Sequence, residues 1–165
     1  MARGEPDSTV TLSLIDRLID LEPTNSHEAP VSRSQSVRLL KTSLRRDLEW
    51  LLNSRRIAQP APDEFAELVR SLYHYGLPDF AGLTAASPRD RNYLLRTLEE
   101  AITLFEPRLK NVRVTPMEAP GLGVRALRFQ IEGLLIMDPA PEQISFDTTV
   151  QLSTGEYTIK GERSA

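Results

Sequence analysis

Two histidines, His27 and His74, are the only side chains here whose ordinary pKa lies near neutrality, and the chain has no cysteine. Triad-type catalysis needs a base held beside its nucleophile. With His27 in a polar stretch and His74 at the end of an apolar run, neither has a nucleophile at a useful spacing. The same scarcity argues against zinc, and no carboxylate-rich loop suits calcium, so no metal and no cofactor is expected. Gly121 and Gly123 follow no strand that leads into a helix and lack a P-loop lysine, which makes them hairpin residues. A glycosidase needs two carboxylates facing each other across a cleft. Glu99, Glu100 and Glu106 lie in or beside one helix, and the adjacent pair Glu99-Glu100 projects to different sides. A run of cations, Arg38, Lys41, Arg45, Arg46, Arg55 and Arg56, is broken by Asp47 and Glu49 and carries no interleaved aromatics. That pattern suits a solvated or protein-facing helix better than nucleic acid.

The bulk properties agree. The chain has 165 residues, 40% hydrophobic and 26% charged, with a net charge of −3. It is long enough for one domain with a real core and has no cationic excess to draw it to nucleic acid or anionic lipid. Met1–Val10 has no apolar stretch of the signal-peptide kind, and Leu134–Met137 is far too short to span a bilayer. The expected protein is therefore one that remains in the compartment where it is made, without membrane insertion and without a small-molecule substrate.

These residues must be positioned by elements with two different periods. Residues 12–21 read as a short amphipathic helix carrying Leu14, Leu18 and Leu21, with Ser13 as a cap. Glu22–Ser36, with two prolines and four serines, reads as a linker, so residues 1–35 form an arm and 36–165 one domain. A first long helix is expected over about Ser36–Arg55, with Val37, Leu40, Leu44, Leu48 and Leu51 on its apolar face. A second should start at Asp63, bury Phe65, Leu68, Val69, Leu72 and Tyr73, and stop at Gly76 and Pro78. A third should open on Ser87, Pro88 and Asp90, bury Leu94, Leu98, Ala101, Ile102 and Phe105, and close at Pro107. Beyond Leu109 the period falls to two, through Val112/Val114, Leu127/Phe129/Ile131 and Ile144/Phe146/Thr148/Val150/Leu152. Pro120–Gly123 and Asp138–Pro141 supply turns. The fold class expected is α+β, N-terminal helices on a small antiparallel meander of three strands, whose edges stay open because so small a sheet cannot close.

Three segments taken together are more specific than any single motif: Ser43–Arg56, Tyr75–Phe80 and Phe105–Leu109, the last containing Glu106-Pro107-Arg108, with Ser13–Leu18 ahead of them. In this order they resemble the TssE family of type VI secretion baseplates, similar to the small wedge protein of contractile phage tails. The resemblance implies a cytoplasmic structural protein at the cytoplasmic side of the inner membrane. It would be held by baseplate wedge proteins and offer contractile sheath subunits a template for strand addition. The lysozyme-like label some relatives carry leaves a peptidoglycan hydrolase as the alternative. The Glu-Pro-Arg motif implies wedge contacts at Glu106, Pro107 and Arg108. Pro107 should lock the helix-to-strand turn, and the Arg108 fork suits either a partner's carboxylate or an internal ion pair at the corner. Arg46 and Trp50, at i and i+4, can stack as cation and indole, for folding alone or for a partner. The remaining expected partner-binding residues are Leu14, Asp16, Arg17, Leu18, Arg55 and Arg56.

Overall fold

A computed structural model describes residues 9–19, 23–24, 31–59, 61–62, 64–80, 82–84, 86–118 and 126–162. The expected Asp63 cap, the Pro120–Gly123 turn, Leu21 and most of the linker lie outside these residues. The architecture is α+β: among the described residues, three α-helices precede a four-stranded antiparallel sheet.

Helix α1 spans Leu14–Leu18, capped by Ser13, whose hydroxyl accepts the Asp16 N–H. It is shorter than the pattern predicts because Ile19 is already extended. Helix α2 spans Arg33–Asn53 and starts a turn earlier than periodicity suggests. The cause is a reciprocal capping box: the Ser32 hydroxyl accepts from Gln35 N–H, and the Gln35 side chain accepts from Ser32 N–H. The last residues assigned to a linker are thus the first turn of α2. Helix α3 spans Pro88–Phe105, with Ser87 as N-cap and Pro88 in the first turn, as its sequence requires.

The helix expected from Asp63 does not form. The described residues of the segment hold two 3₁₀ turns, Ala66–Arg70 and Leu72–His74, and no α-helix. Phe65, Val69 and Leu72, read as a buried stripe, are exposed, Leu72 at 84%. What the segment buries comes later. Leu77 and Phe80 enter the core, and Gly76 makes this possible. Its backbone has φ +99°, and a Cβ there would stand 2.5 Å from the Ser54 carbonyl oxygen. The close approach lets Leu77 N–H donate to Ser54 O at 2.8 Å and Arg56 N–H to Leu77 O at 3.0 Å. Gly76 therefore serves a backbone-to-backbone contact and not a helix stop.

Strands β1 (Leu109–Met117), β2 (Ala126–Leu135), β3 (Glu142–Gln151) and β4 (Glu156–Glu162) form a meander in that order. The fourth strand was not anticipated, although Tyr157 and Ile159 alternate with polar neighbours and bury fully. In β1 the simple alternation fails. Asn111, at φ +52°, creates a bulge that sets Asn111 and Val112 against Gly133, so Val114 is buried and Val112 only partly. The core face of the sheet, with Phe129, Ile131, Ile144, Phe146, Val150, Tyr157 and Ile159, packs with Leu44, Leu48 and Leu52 of α2 and Leu94, Leu98 and Ile102 of α3. Each such side chain contributes about 1.5–3 kcal/mol by leaving water, so this layer is the main source of stability. Phe129 and Tyr157 meet edge to face, their centroids 6.3 Å apart.

Candidate functional site

The residues singled out from the sequence converge on one line across the molecule. At the end of α3, Glu106 closes the helix by donating its N–H to Ile102 O at 2.9 Å. Its carboxylate is buried and accepts from Arg108 three times: from Nε at 2.7 Å, Nη2 at 2.5 Å and N–H at 3.2 Å. Pro107 sits exposed between them and sets the turn that aims Arg108 back at Glu106. Arg108 Nη2 also reaches Asp47 Oδ2 at 2.7 Å on α2. The other oxygen of Asp47 accepts from Arg46 Nε at 2.9 Å and Nη2 at 2.7 Å. Arg46 Nη2 then donates to Asp16 Oδ1 of α1 at 2.8 Å, and Asp16 Oδ2 accepts from Ser13 Oγ. The result is a relay of alternating charge, Glu106–Arg108–Asp47–Arg46–Asp16, tying the helix–strand corner through α2 to α1.

Electrostatics follow this geometry. The hydrogen bond with Glu106 raises the Arg108 pKa well above the ordinary arginine value, against the opposing effect of burial. Arg46 is likewise raised, chiefly by its bond to Asp47. Burial pushes the Asp16 carboxyl up, but its hydrogen bonds from Ser13 and Arg46 and the Arg46 charge prevail, leaving it below the usual value. Tyr75, packed on Phe105 beside the relay, is pushed up by burial and then by the charges of Asp47 and Glu106. Asp47 is the joint that sequence reasoning missed. It was visible only as a break in a basic run, and its role depends on which two arginines the fold sets on either side.

On α1 the relay has an unusual consequence. The polar Asp16 faces the body, while Leu14, Ile15 and Leu18 turn outward, Leu14 at 69% and Leu18 at 74% exposure. Just before the helix, buried Val10 donates its N–H to Ser36 Oγ at 3.0 Å, a second anchor on α2. Arg17 is exposed on the same helix. Nearby on α2, Arg46 lies over the Trp50 ring at 5.3 Å, and the indole is 63% exposed. The stack predicted from spacing is present, and it holds the ring outward.

The other cations separate. Lys41 pairs with Glu142 at 2.7 Å. Arg55 donates to the Gly155 carbonyl at 2.8 Å, and Arg56 lines a groove between α3 and the 3₁₀ turns with a volume of about 930 Å³. Of the carboxylates weighed for hydrolysis, Glu106 is held by Arg108, and Glu99 accepts the Val114 N–H at 2.8 Å. Among the described residues no helix is long and apolar enough to cross a membrane. The model of a protein family described as "Baseplate wedge protein gp25" matches residues 38–140, which takes in most of α2, α3, the Glu106–Arg108 corner, β1 and β2. No characterised protein and no solved structure gives a significant match.

Proposed function

The chain belongs to the baseplate wedge protein gp25 family, a family of structural baseplate components, and on that premise we propose that it is the TssE-like wedge subunit of a type VI secretion baseplate. In this reading it is not an enzyme. It sits on the cytoplasmic side of the inner membrane, joins the wedge to the contractile sheath and templates the first sheath subunits by strand addition at its sheet. Residues 1–31 act as an arm and 32–165, from the cap of α2 onward, as the wedge domain.

The observation that carries the reading is α1, held by its polar side with its apolar side outward. A helix folded only for its own chain's stability would bury Leu14, Ile15 and Leu18. Clustered apolar side chains left outward on an ion-paired helix are what a helix-in-groove contact requires. The wedge surface is then Leu14, Arg17 and Leu18 with Trp50, while Asp16, Arg46, Asp47, Glu106 and Arg108 orient it. Pro107 is exposed at the corner and adds a rigid contact. Arg56, beside the groove, is a secondary contact.

Leu14→Asp with Leu18→Asp tests this directly. Both side chains are already solvated, so the melting temperature should stay within about 2 °C of wild type, as for surface changes generally. Co-purification with tagged wedge subunits should be lost. A variant that still co-purifies at wild-type yield refutes the assignment of α1 as the wedge contact.

A further inference from the structure

A meander has two edges, and in this one they are treated differently. Along the first part of β4, before the register shift that follows Ile159, the outward-facing donors are Tyr157 N–H and Ile159 N–H, since Thr158 pairs inward with Thr149. Neither is open. Tyr157 N–H donates to Asn53 Oδ1 at 2.9 Å, and Asn53 Nδ2 donates back to Tyr157 O at 2.9 Å. Ile159 N–H donates to Glu49 Oε1 at 3.3 Å. One step further down, Arg55 Nη2 donates to Gly155 O at 2.8 Å. Glu49 and Asn53 of α2 answer Ile159 and Tyr157, with α2 antiparallel to β4, and Arg55, just beyond the helix end, answers Gly155.

The spacing explains why a helix can do this. Residues four apart on a helix rise about 6 Å, and residues two apart on a strand about 6.8 Å. One helix face can therefore present side-chain amide and carboxylate groups to successive outward positions of a strand. Asn53 supplies both a donor and an acceptor, as a strand residue would. Gly155 completes the fit: at φ +67°, a Cβ there would lie 2.0 Å from Arg55 Nη2. A small pocket of about 50 Å³, lined by Arg55, Asp79, Phe80 and Tyr157 among others, lies beside this hairpin.

Strand β1 is guarded more lightly. Val114 N–H points outward and is met by one group, Glu99, from α3. Period-two alternation puts Pro116 on the same side, where it has no N–H but keeps its carbonyl. The groove of about 930 Å³, lined by Val112, Glu99, Leu104 and Phe105 among others, opens alongside.

We propose that Glu49, Asn53 and Arg55 form a side-chain pseudo-strand that seals the β4 edge over Gly155–Ile159, leaving β1, with Glu99 as a displaceable cap, as the edge that accepts an incoming strand. The seal stands on its own hydrogen bonds; the use of β1 rests on the strand-addition reading above. An edge with exposed donors invites pairing with any extended chain. Sealing one edge makes a template that grows in one direction.

Amide hydrogen exchange on the full chain separates the two parts. In the wild type, Tyr157 and Ile159 should exchange at least about tenfold more slowly than unpaired edge amides, the equivalent of one net hydrogen bond. Glu49→Ala with Asn53→Ala should erase that protection, whereas Glu49→Gln, which keeps an acceptor, should retain it at Ile159. Unprotected Tyr157 and Ile159 amides in the wild-type protein overturn the seal, whether or not the double variant folds. With contractile sheath subunits added, Val112 and Val114 should gain protection while Tyr157 and Ile159 stay as they were. Protection gained at Tyr157 and Ile159 instead overturns the assignment of β1. Absence of any change at all four refutes strand addition, and the wild-type exchange still decides the seal.

Discussion

Replacing Arg108 by alanine removes the central cation of the relay, and the structure sets the size of the effect. Arg108 gives two side-chain hydrogen bonds to Glu106 and one to Asp47, and only 24% of its side chain is exposed. Glu106 is 5% exposed, so the variant leaves a buried carboxylate whose one remaining partner among the described residues is the backbone N–H of position 108. Charged hydrogen bonds contribute roughly 1.5–3 kcal/mol each but do not add fully, and stripping one partner from a buried pair costs about 3–5 kcal/mol. Partial solvent access at Arg108 and Asp47 places the expected loss at the low end, about 3 kcal/mol. For a chain of this length that lowers the melting temperature by roughly 6–12 °C. Arg108→Lys keeps charge without the fork and should fall about midway. Urea denaturation of both variants, alongside wedge co-purification, gives the answer. A loss under 1 kcal/mol together with abolished wedge binding would refute the internal role argued here and make Arg108 a direct partner contact.

Acid should detach α1 before the core fails: Asp16 has a lowered folded-state pKa, so its contribution is complete above about pH 4 and disappears as pH falls through the lowered value. Proteolysis near α1 across pH 2–5 should show this, and Asp16→Asn should be susceptible at every pH. Gly76→Ala should cost at least roughly 2 kcal/mol, since positive φ and the Ser54 carbonyl both oppose a Cβ, and its denaturation midpoint measures this. Tyr157→Phe should be neutral or stabilising by about 1 kcal/mol, because the buried hydroxyl has no partner among the described residues. The same burial holds the phenol pKa up, so wild-type stability, complete below about pH 10, should fall as pH rises beyond that, and the Phe variant should lose that component.

Local rules carried the sequence a long way. Ser87-Pro88 and Asp90 opened α3 as capping chemistry demands, and period-two alternation located β2 and β3, because both signals are complete within a few neighbouring residues. The Arg46–Trp50 stack was legible for the same reason, its partners being one helical turn apart. Where competing interactions came from afar, local pattern misled. The stripe Phe65, Val69 and Leu72 has helical spacing, yet the segment's backbone is committed to bringing Leu77 against Ser54, and the stripe stays in solvent. Asn111 broke the alternation of β1 for want of any local sign that Gly133 would oppose a bulge.

The charges show the limit most clearly. The sequence by itself determined that Glu106, Pro107 and Arg108 occupy a helix–strand corner and that Asp16 lies on an amphipathic helix. Only the tertiary structure decided that Asp47, 61 residues from Arg108, joins them, and that Asn53 and Glu49 answer the donors of a strand more than 100 residues away. Ion pairs and edge seals of this kind have no period or propensity. They depend on distances of about 3 Å between groups that only the packed core brings together.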